Sequence, residues 1–152
     1  MTMFQASDAI RLTGLTRNQL REWCGRSRRG ILEPDVSPGG PGRHAMYAWQ
    51  TLLTLRLLLV LHERFGVEIG QLSTMAKTLR ARLTGISFPA LWPLWAAMVD
   101  SHTVELTSNP ERVINSGGIV LPLRPHLEVL ASEMSLPVDE QLPLLPPMAV
   151  SR

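Results

Sequence analysis

The chain has 152 residues, 45% of them hydrophobic and 18% charged, which suffices for one domain of ordinary size or for a small domain with an extension. A membrane span is not expected, because there is no apolar run of about 20 residues. A signal peptide is not expected, because no basic patch precedes an apolar N-terminal core. The single cysteine, Cys24, excludes an internal disulfide framework and favours the reducing cytoplasm. The formal net charge of +2 is unevenly divided, since residues 1–82 hold 12 Lys and Arg against 6 Asp and Glu, whereas residues 83–152 hold 3 against 7.

Two short helices are predicted near the N-terminus. Residues 5–12 have apolar side chains at helical spacing, and Gly14 can adopt the positive φ that ends a helix. Thr16 is a good N-cap for a second helix from Arg17 to about Gly25. The buried side of this helix would carry Leu20, Trp23 and Cys24, and its open side Arg17, Asn18 and Arg21. This pattern is typical of a helix-turn-helix whose second helix presents polar side chains outward.

The next segment, residues 26–46, is rich in Gly, Pro and Arg, which disfavours a helix. Ile31-Leu32 and Ala45-Met46-Tyr47 flank the stretch VSPGGPGRH as two short strands would. We predict a β-hairpin wing with a Gly/Pro tip, and with Arg43 and His44 on its returning arm.

Two longer helices follow the wing. The stretch from Trp49 to Phe65 is apolar nearly all round, which is typical of a helix buried on several sides. Gly66 ends it, and residues 69–83 have the apolar spacing of another helix.

The composition changes after Gly85. Pro89 and Pro93 permit only a short helix, starting at one of these prolines and ending at Val99. We predict that residues 103–107 and 119–123 pair as a two-stranded antiparallel ribbon around a turn. A last helix is predicted over residues 124–134, followed by an irregular, Pro-rich tail.

A two-stranded ribbon alone is marginally stable in water, so it needs a partner surface. Three candidates are the helix over 49–65, the segment that contains Trp92 and Trp95, and the same ribbon from a second subunit. We expect the ribbon to help hold a dimer. Pro122 indicates that the second strand lies at an edge, or that no ladder donor is needed at this position.

Arginine supplies nearly all of the positive charge in the basic half, where Lys77 is the only lysine. The guanidinium fork of arginine suits phosphates and guanine edges. Positive charge concentrated in one half of a chain is typical of nucleic-acid binders. A solvated basic face has the same composition, so the charge alone does not decide between the two.

The order of these elements resembles the MerR-type winged-helix transcription regulators. The stretch AIRLTGLTRNQLREW resembles the helix-turn-helix of that family, and GPGRHAMY resembles its wing. The helix-Gly-helix pair that follows is matched by TLLTLRLLLVLHERFGVEIGQL. Together the three matches cover residues 4–83, roughly half of the chain.

The resemblance implies a bacterial, cytoplasmic and nucleoid-associated homodimer that regulates transcription. Each subunit would place its recognition helix in the major groove of double-stranded DNA and its wing on the flanking backbone. RNA polymerase is a further candidate partner, and no membrane partner is expected.

The candidate DNA-binding residues come from the second helix, the loop and the wing. Their full set is Thr16, Arg17, Asn18, Arg21, Trp23, Arg28, Arg43, His44 and Tyr47. Arg28, with its neighbours Arg26 and Arg29, would supply salt-dependent phosphate affinity. For Trp23 and Tyr47 a place in the core is an equally good interpretation.

Two features depart from the family. Its sensors continue into a long helix that forms an antiparallel dimer coil, which Pro89 and Pro93 forbid. Its metal sensors carry cysteines beyond that coil, and this chain has none after Cys24. We therefore predict a mainly α fold with three parts: a MerR-like winged helix-turn-helix DNA-binding domain over 1–84, a small α+β dimerisation or effector extension over 85–135, and a Pro-rich tail over 136–152.

The sequence shows no residue pattern that indicates catalysis. The sequence contains no Walker-type phosphate loop, no paired carboxylates and no Ser/His/Asp arrangement, and its four histidines are dispersed. We expect no enzyme, no metal and no cofactor. Cys24 is most simply a buried hydrophobe, with a redox thiol activated by nearby arginines as a minor alternative.

The main hypothesis is a sequence-specific transcription regulator. Two alternatives remain open. One is an architectural DNA-binding factor of the excisionase type, which shares the winged helix and needs no sensor. The other is a protein-interaction adaptor that has kept the fold but no longer binds DNA.

Overall fold

The computed structural model describes residues 2–25, 30–40 and 42–134. Within these ranges the chain forms seven helices and five short strands, so the fold is mainly α, as predicted. The helices are α1 (Ala6–Thr13), α2 (Arg17–Cys24), α3 (Trp49–Phe65), α4 (Ile69–Thr84), α5 (Phe88–Leu91), α6 (Glu111–Asn115) and α7 (Arg124–Met134). The strands are β1 (Met3–Phe4), β2 (Tyr47–Ala48), β3 (Trp95–Met98), β4 (Val104–Thr107) and β5 (Ile119–Pro122).

The break between α1 and α2 follows from two local signals. Gly14 has a φ of 84°, and its N–H donates to the Ile10 carbonyl, which closes α1. The Thr16 hydroxyl accepts from the Gln19 N–H at 3.0 Å, while the Gln19 side chain accepts from the Thr16 N–H at 2.9 Å. This reciprocal capping box starts α2. Both predicted helices are confirmed, with α1 shifted by one residue.

Helix α3 lies at the centre of the fold. Nine of its seventeen residues are buried, and α1, α4, α7 and β2 all pack against it. The prediction of a helix covered on several sides is therefore confirmed. No helix in the described part of the chain is both long and apolar enough to cross a bilayer.

The predicted outgoing strand of the wing is wrong. Ile31 and Leu32 are buried in the core, and their N–H groups donate to the Trp23 carbonyl at the end of α2. Instead, Val36 pairs with Met46 through two backbone hydrogen bonds of 3.1 and 3.0 Å, an isolated bridge. Because the core takes up the apolar pair, the hairpin is shorter than predicted and begins later.

The returning arm of the hairpin continues into a strand that the sequence analysis did not pair. Tyr47 and Ala48 form β2, which is antiparallel to β1. Met3 lies opposite Ala48, and Phe4 lies opposite Tyr47. A two-residue strand is too short to show the alternating pattern from which strands are predicted.

The C-terminal strands form a three-stranded antiparallel sheet in the order β4-β3-β5. The predicted pairing of 103–107 with 119–123 is wrong, because each of these segments pairs with β3. The predicted helix ending at Val99 is also wrong, since α5 ends at Leu91 and residues 95–98 form the central strand. Ala96 and Ala97 are fully buried in this strand, where small side chains fit between the layers.

The segment 109–118, predicted as a turn, contains α6. Val113 of this helix is buried, and a Cβ at Gly118 would lie only 2.5 Å from a Val113 methyl carbon. Glycine at position 118 therefore allows α6 to pack closely on the sheet.

Strand β5 lies at an edge of the sheet. The Leu123 N–H donates to the Leu94 carbonyl, so the backbone of residue 123 faces the neighbouring strand. Because successive backbone N–H positions alternate in direction along a strand, the N–H position of residue 122 points away from β3. Pro122 has no N–H and leaves no ladder bond unmade there. This agrees with the predicted edge position.

Helix α7 connects the C-terminal part of the chain to the first helices. The Arg56 Nε donates to the His126 Nδ1 at 3.1 Å, and its NH1 donates to the Leu12 carbonyl at 2.5 Å. Arg11 of α1 forms an ion pair with Glu133 of α7 at 2.7 Å. A single buried cluster contains side chains from both sides of Gly85, so the predicted segments 1–84 and 85–135 share one core. The boundary between them stays a prediction.

We predict that acidification weakens this connection. Burial, with the charges of Arg56 and Arg64, lowers the pKa of His126 from 6.5 to about 4. Between these values the unfolded chain binds a proton that the folded chain does not, so the free energy of unfolding falls as the pH drops from 6.5 to 4. The loss should be on the order of 2 kcal/mol, allowing for partial exposure of the ring.

Urea unfolding at pH 7 and pH 5 measures this effect. His126→Gln should remove most of the pH dependence, whereas His102→Gln, at an exposed position, should retain it. Equal pH dependence in the two variants would contradict the assignment to His126.

Candidate nucleic-acid interface

Three polar side chains project from one side of α2. Arg17, Asn18 and Arg21 are exposed, whereas Leu20, Trp23 and Cys24 on the opposite side are buried. We call the set Arg17, Asn18 and Arg21 the open face of α2. Among the described residues, no carboxylate lies within ion-pair distance of either arginine. Two guanidinium groups and a carboxamide are therefore available to a ligand.

Thr16 positions this face through its capping hydrogen bond. Its hydroxyl oxygen accepts from the Gln19 N–H, which sets the direction in which α2 begins. The residue is exposed at the N-terminal end of the open face. The partial positive charge of a helix N-terminus adds to that of the arginines there.

A cavity of about 230 Å³ lies between α1, α2 and β2. It is lined by Ala6, Ile10, Arg17, Leu20, Arg21 and Tyr47. Tyr47 is only 4% exposed, and its burial raises the pKa of the phenol to about 12. The structure thus places Tyr47 both in the core and beside the two arginines.

Trp23 and Cys24 belong to the core. Trp23 is 2% exposed, and its ring meets that of His62 edge to face at 5.9 Å. Burial raises the pKa of the Cys24 thiol to about 12, an effect that the opposing charge of Arg80 does not cancel. We therefore assign neither residue to the interface, and a redox role for a lowered-pKa thiolate is not supported.

The hairpin presents two further candidates. Arg43 and His44 are exposed on its returning arm. The turn before them closes through the Arg43 N–H, which donates to the Gly40 carbonyl at 3.2 Å, and Gly40 and Gly42 have φ values of 81° and 78°. A second cavity, of about 440 Å³, is lined by Gln5, Val36, Ser37, Gly42, Arg43, His44 and Met46.

Asp35 holds the hairpin against the start of α3. One of its carboxylate oxygens accepts from the Ala48 N–H and from the Thr51 hydroxyl, both at 2.7 Å. Ala48 is the N-cap of α3 and has no side chain that can cap it. Asp35 thus satisfies donors of the first turn from thirteen residues upstream.

The loop before the hairpin is held from the other side by α4. The Arg80 NH1 donates to the Glu33 carbonyl at 2.6 Å. The sequence analysis identified neither Asp35 nor Arg80. The one available signal was an alanine at the N-cap of a long helix, which leaves the first N–H groups in need of an outside acceptor.

Some predictions fall outside the described residues. Arg28, with Arg26 and Arg29, lies in residues 26–29, and the predicted Pro-rich tail lies beyond residue 134. Within 2–25, 30–40 and 42–134, no group of three or more His, Cys, Asp and Glu side chains could hold a metal ion.

We predict that Asp35→Ala loosens the hairpin. Two donors at the start of α3 lose their acceptor, which should lower the free energy of unfolding by about 1–2 kcal/mol. Chemical denaturation measures the loss. Ser37→Ala, two residues away on the exposed hairpin, is the control and should change stability by less than about 0.5 kcal/mol. Equal losses in both variants would show that the Asp35 contacts contribute little.

Comparison of the sequence with models of known protein families and with curated proteins found no match.

Proposed function

We propose that this protein is a sequence-specific DNA-binding transcription regulator that acts as a homodimer. In this proposal α1 and α2 form the helix-turn-helix of a winged helix, and α2 is the recognition helix. The observation that carries the proposal is the open face of α2, where Arg17, Asn18 and Arg21 are exposed and without a carboxylate partner among the described residues.

The spacing of the open face suits base edges. Arg17 and Arg21 are four residues apart, which is about 6 Å along a helix axis. Successive base pairs of B-DNA are about 3.4 Å apart, so the two side chains can address base pairs two steps apart. Arginine pairs with the O6 and N7 of guanine, and asparagine with the N6 and N7 of adenine.

The hairpin supplies the second contact in this proposal. Exposed Arg43 and His44 follow a turn of two glycines with positive φ, and basic side chains at such a tip suit the backbone or a narrow minor groove. Asp35 fixes the hairpin to α3, which limits its movement relative to α2. Tyr47 lines the same cavity as Arg17 and Arg21.

We propose a dimer because one short recognition helix contacts too few base pairs for high specificity. An eight-residue α2 can read only a few base pairs, and helix-turn-helix proteins gain specificity by placing two recognition helices about 34 Å apart on one face of the duplex. Such a regulator would act in the nucleoid, without cofactor or catalysis, by occupying DNA that RNA polymerase uses.

Selection from random duplexes tests the proposal directly. We expect a palindromic consensus, affinity that falls steeply with salt, and two protein chains for each site in sedimentation. Strong bending without base preference would indicate the architectural alternative. Absence of any salt-sensitive mobility shift would contradict DNA binding and leave the adaptor.

We predict that Arg21→Ala removes base preference at one position of the site. Loss of a bidentate guanine contact costs about 1–3 kcal/mol, so affinity for the selected duplex should fall roughly 10- to 100-fold, and affinity for a duplex mutated at that base much less. Fluorescence anisotropy on the two duplexes measures both effects.

Arg82→Ala is the charge-matched control, because Arg82 is exposed in the last turn of α4, outside the open face and the hairpin. It should reduce affinity for both duplexes slightly and alike. If the two variants behaved identically, the assignment of Arg21 to base recognition would be wrong.

A further inference from the structure

A polar cavity of about 460 Å³ lies between Gly25 at the C-terminal end of α2, residues 30–33 and α4. It is lined by Gly25, Gly30, Ile31, Leu32, Glu33, Ser73, Lys77 and Arg80. Residues 73, 77 and 80 are spaced by four and three, so they lie on one stripe of α4. That stripe presents a hydroxyl, an ammonium and a guanidinium group to the same space.

The cationic groups of this cavity retain free donors. Lys77 is exposed, and no described carboxylate lies within ion-pair distance of it. The Arg80 NH1 donates to the Glu33 carbonyl at 2.6 Å and to the Thr51 hydroxyl at 3.5 Å, and its Nε and NH2 have no acceptor among the described residues. These bonds also hold the guanidinium in place. Among the described residues that line the cavity, Glu33 is the single acid, and Lys77 and Arg80 are the cations.

We propose that this cavity binds a phosphate group. A phosphate is matched by the fork of a positioned arginine, by the compact charge of a lysine and by a hydroxyl donor. The volume of about 460 Å³ lies in the range of ligand pockets.

The position of the cavity favours the DNA backbone as the source, and this step rests on the proposed function. Gly25 follows Arg17 by eight residues and Arg21 by four, which places it on the side of α2 that carries the open face. The distance from Arg17 to Gly25 along the helix is about 12 Å. We infer that a duplex bound along the open face would bring one of its strands close to Gly25 and so to this cavity. A free phosphate-bearing molecule has the same chemistry and forms the second arm of the test.

The first part of the test compares the salt dependence of DNA binding by the wild-type chain with that of the Lys77→Gln variant. Loss of one phosphate contact should reduce the slope of log affinity against log salt by about 0.9. Arg82→Gln removes the same charge from the same helix outside the cavity and should leave the slope nearly unchanged. Both positions are exposed, so both variants should fold, as thermal unfolding will check.

The second arm titrates the full chain with pyrophosphate in the absence of DNA and follows backbone amide shifts by NMR. Shifts confined to the loop over 30–33 and to 73–80, abolished by Ser73→Asp and Lys77→Gln but not by Arg82→Gln, would support a free ligand. A slope change specific to Lys77→Gln would support the DNA backbone.

The proposal is overturned if neither arm separates Lys77→Gln from Arg82→Gln. That result, with DNA binding by the wild-type chain intact, would leave the proposed function standing. Conversely, a wild-type chain that binds no DNA but shows the pyrophosphate shifts would contradict the proposed function and support the phosphate site.

Discussion

The burial of α3 is the constraint on which the rest of the structure depends. A seventeen-residue helix with nine buried residues must be covered on several sides, and no short helix-turn-helix can do this alone. Helices α1 and α4 cover part of it, and α7 covers another part. The C-terminal segment is therefore part of the core and completes it. Arg56 lies within the apolar stretch of α3: its burial lowers the pKa of the guanidinium, and the Leu12 carbonyl and His126 Nδ1 accept two of its hydrogen bonds.

The same constraint positions the candidate interface. The end of α1 is held by Arg56, and the start of α2 by the Thr16 cap, so the open face has a defined direction relative to the core. The hairpin is attached to α3 through Asp35, and the loop before it to α4 through Arg80. Polar contacts to rigid helices thus hold both surfaces of the proposed DNA site, which is what recognition of closely spaced groups requires.

The uneven charge of the chain has two separate uses in this structure. Part of the acidic surplus of the C-terminal segment forms ion pairs within the protein, since Glu133 binds Arg11 and Glu105 binds Arg112. The exposed pairs among these contribute little stability individually. The arginines of the open face, and Lys77 and Arg80 of α4, have no such partners in the described part of the chain, which leaves them for the bases and phosphates of the proposed DNA complex.

The sequence by itself determined the features that depend on neighbours a few residues apart. The two N-terminal helices, the break at Gly14, the capping box at Thr16 and the composition of the open face all follow from local spacing, because helical contacts join residues three or four apart. Only the tertiary structure decided the central strand β3, the cap supplied by Asp35 and the cavity at Lys77. Asp35 reaches a residue sixteen positions away, and Arg56 reaches one seventy positions away. Contacts of that range leave no periodic pattern, because they arise only when separate elements cover the same buried helix.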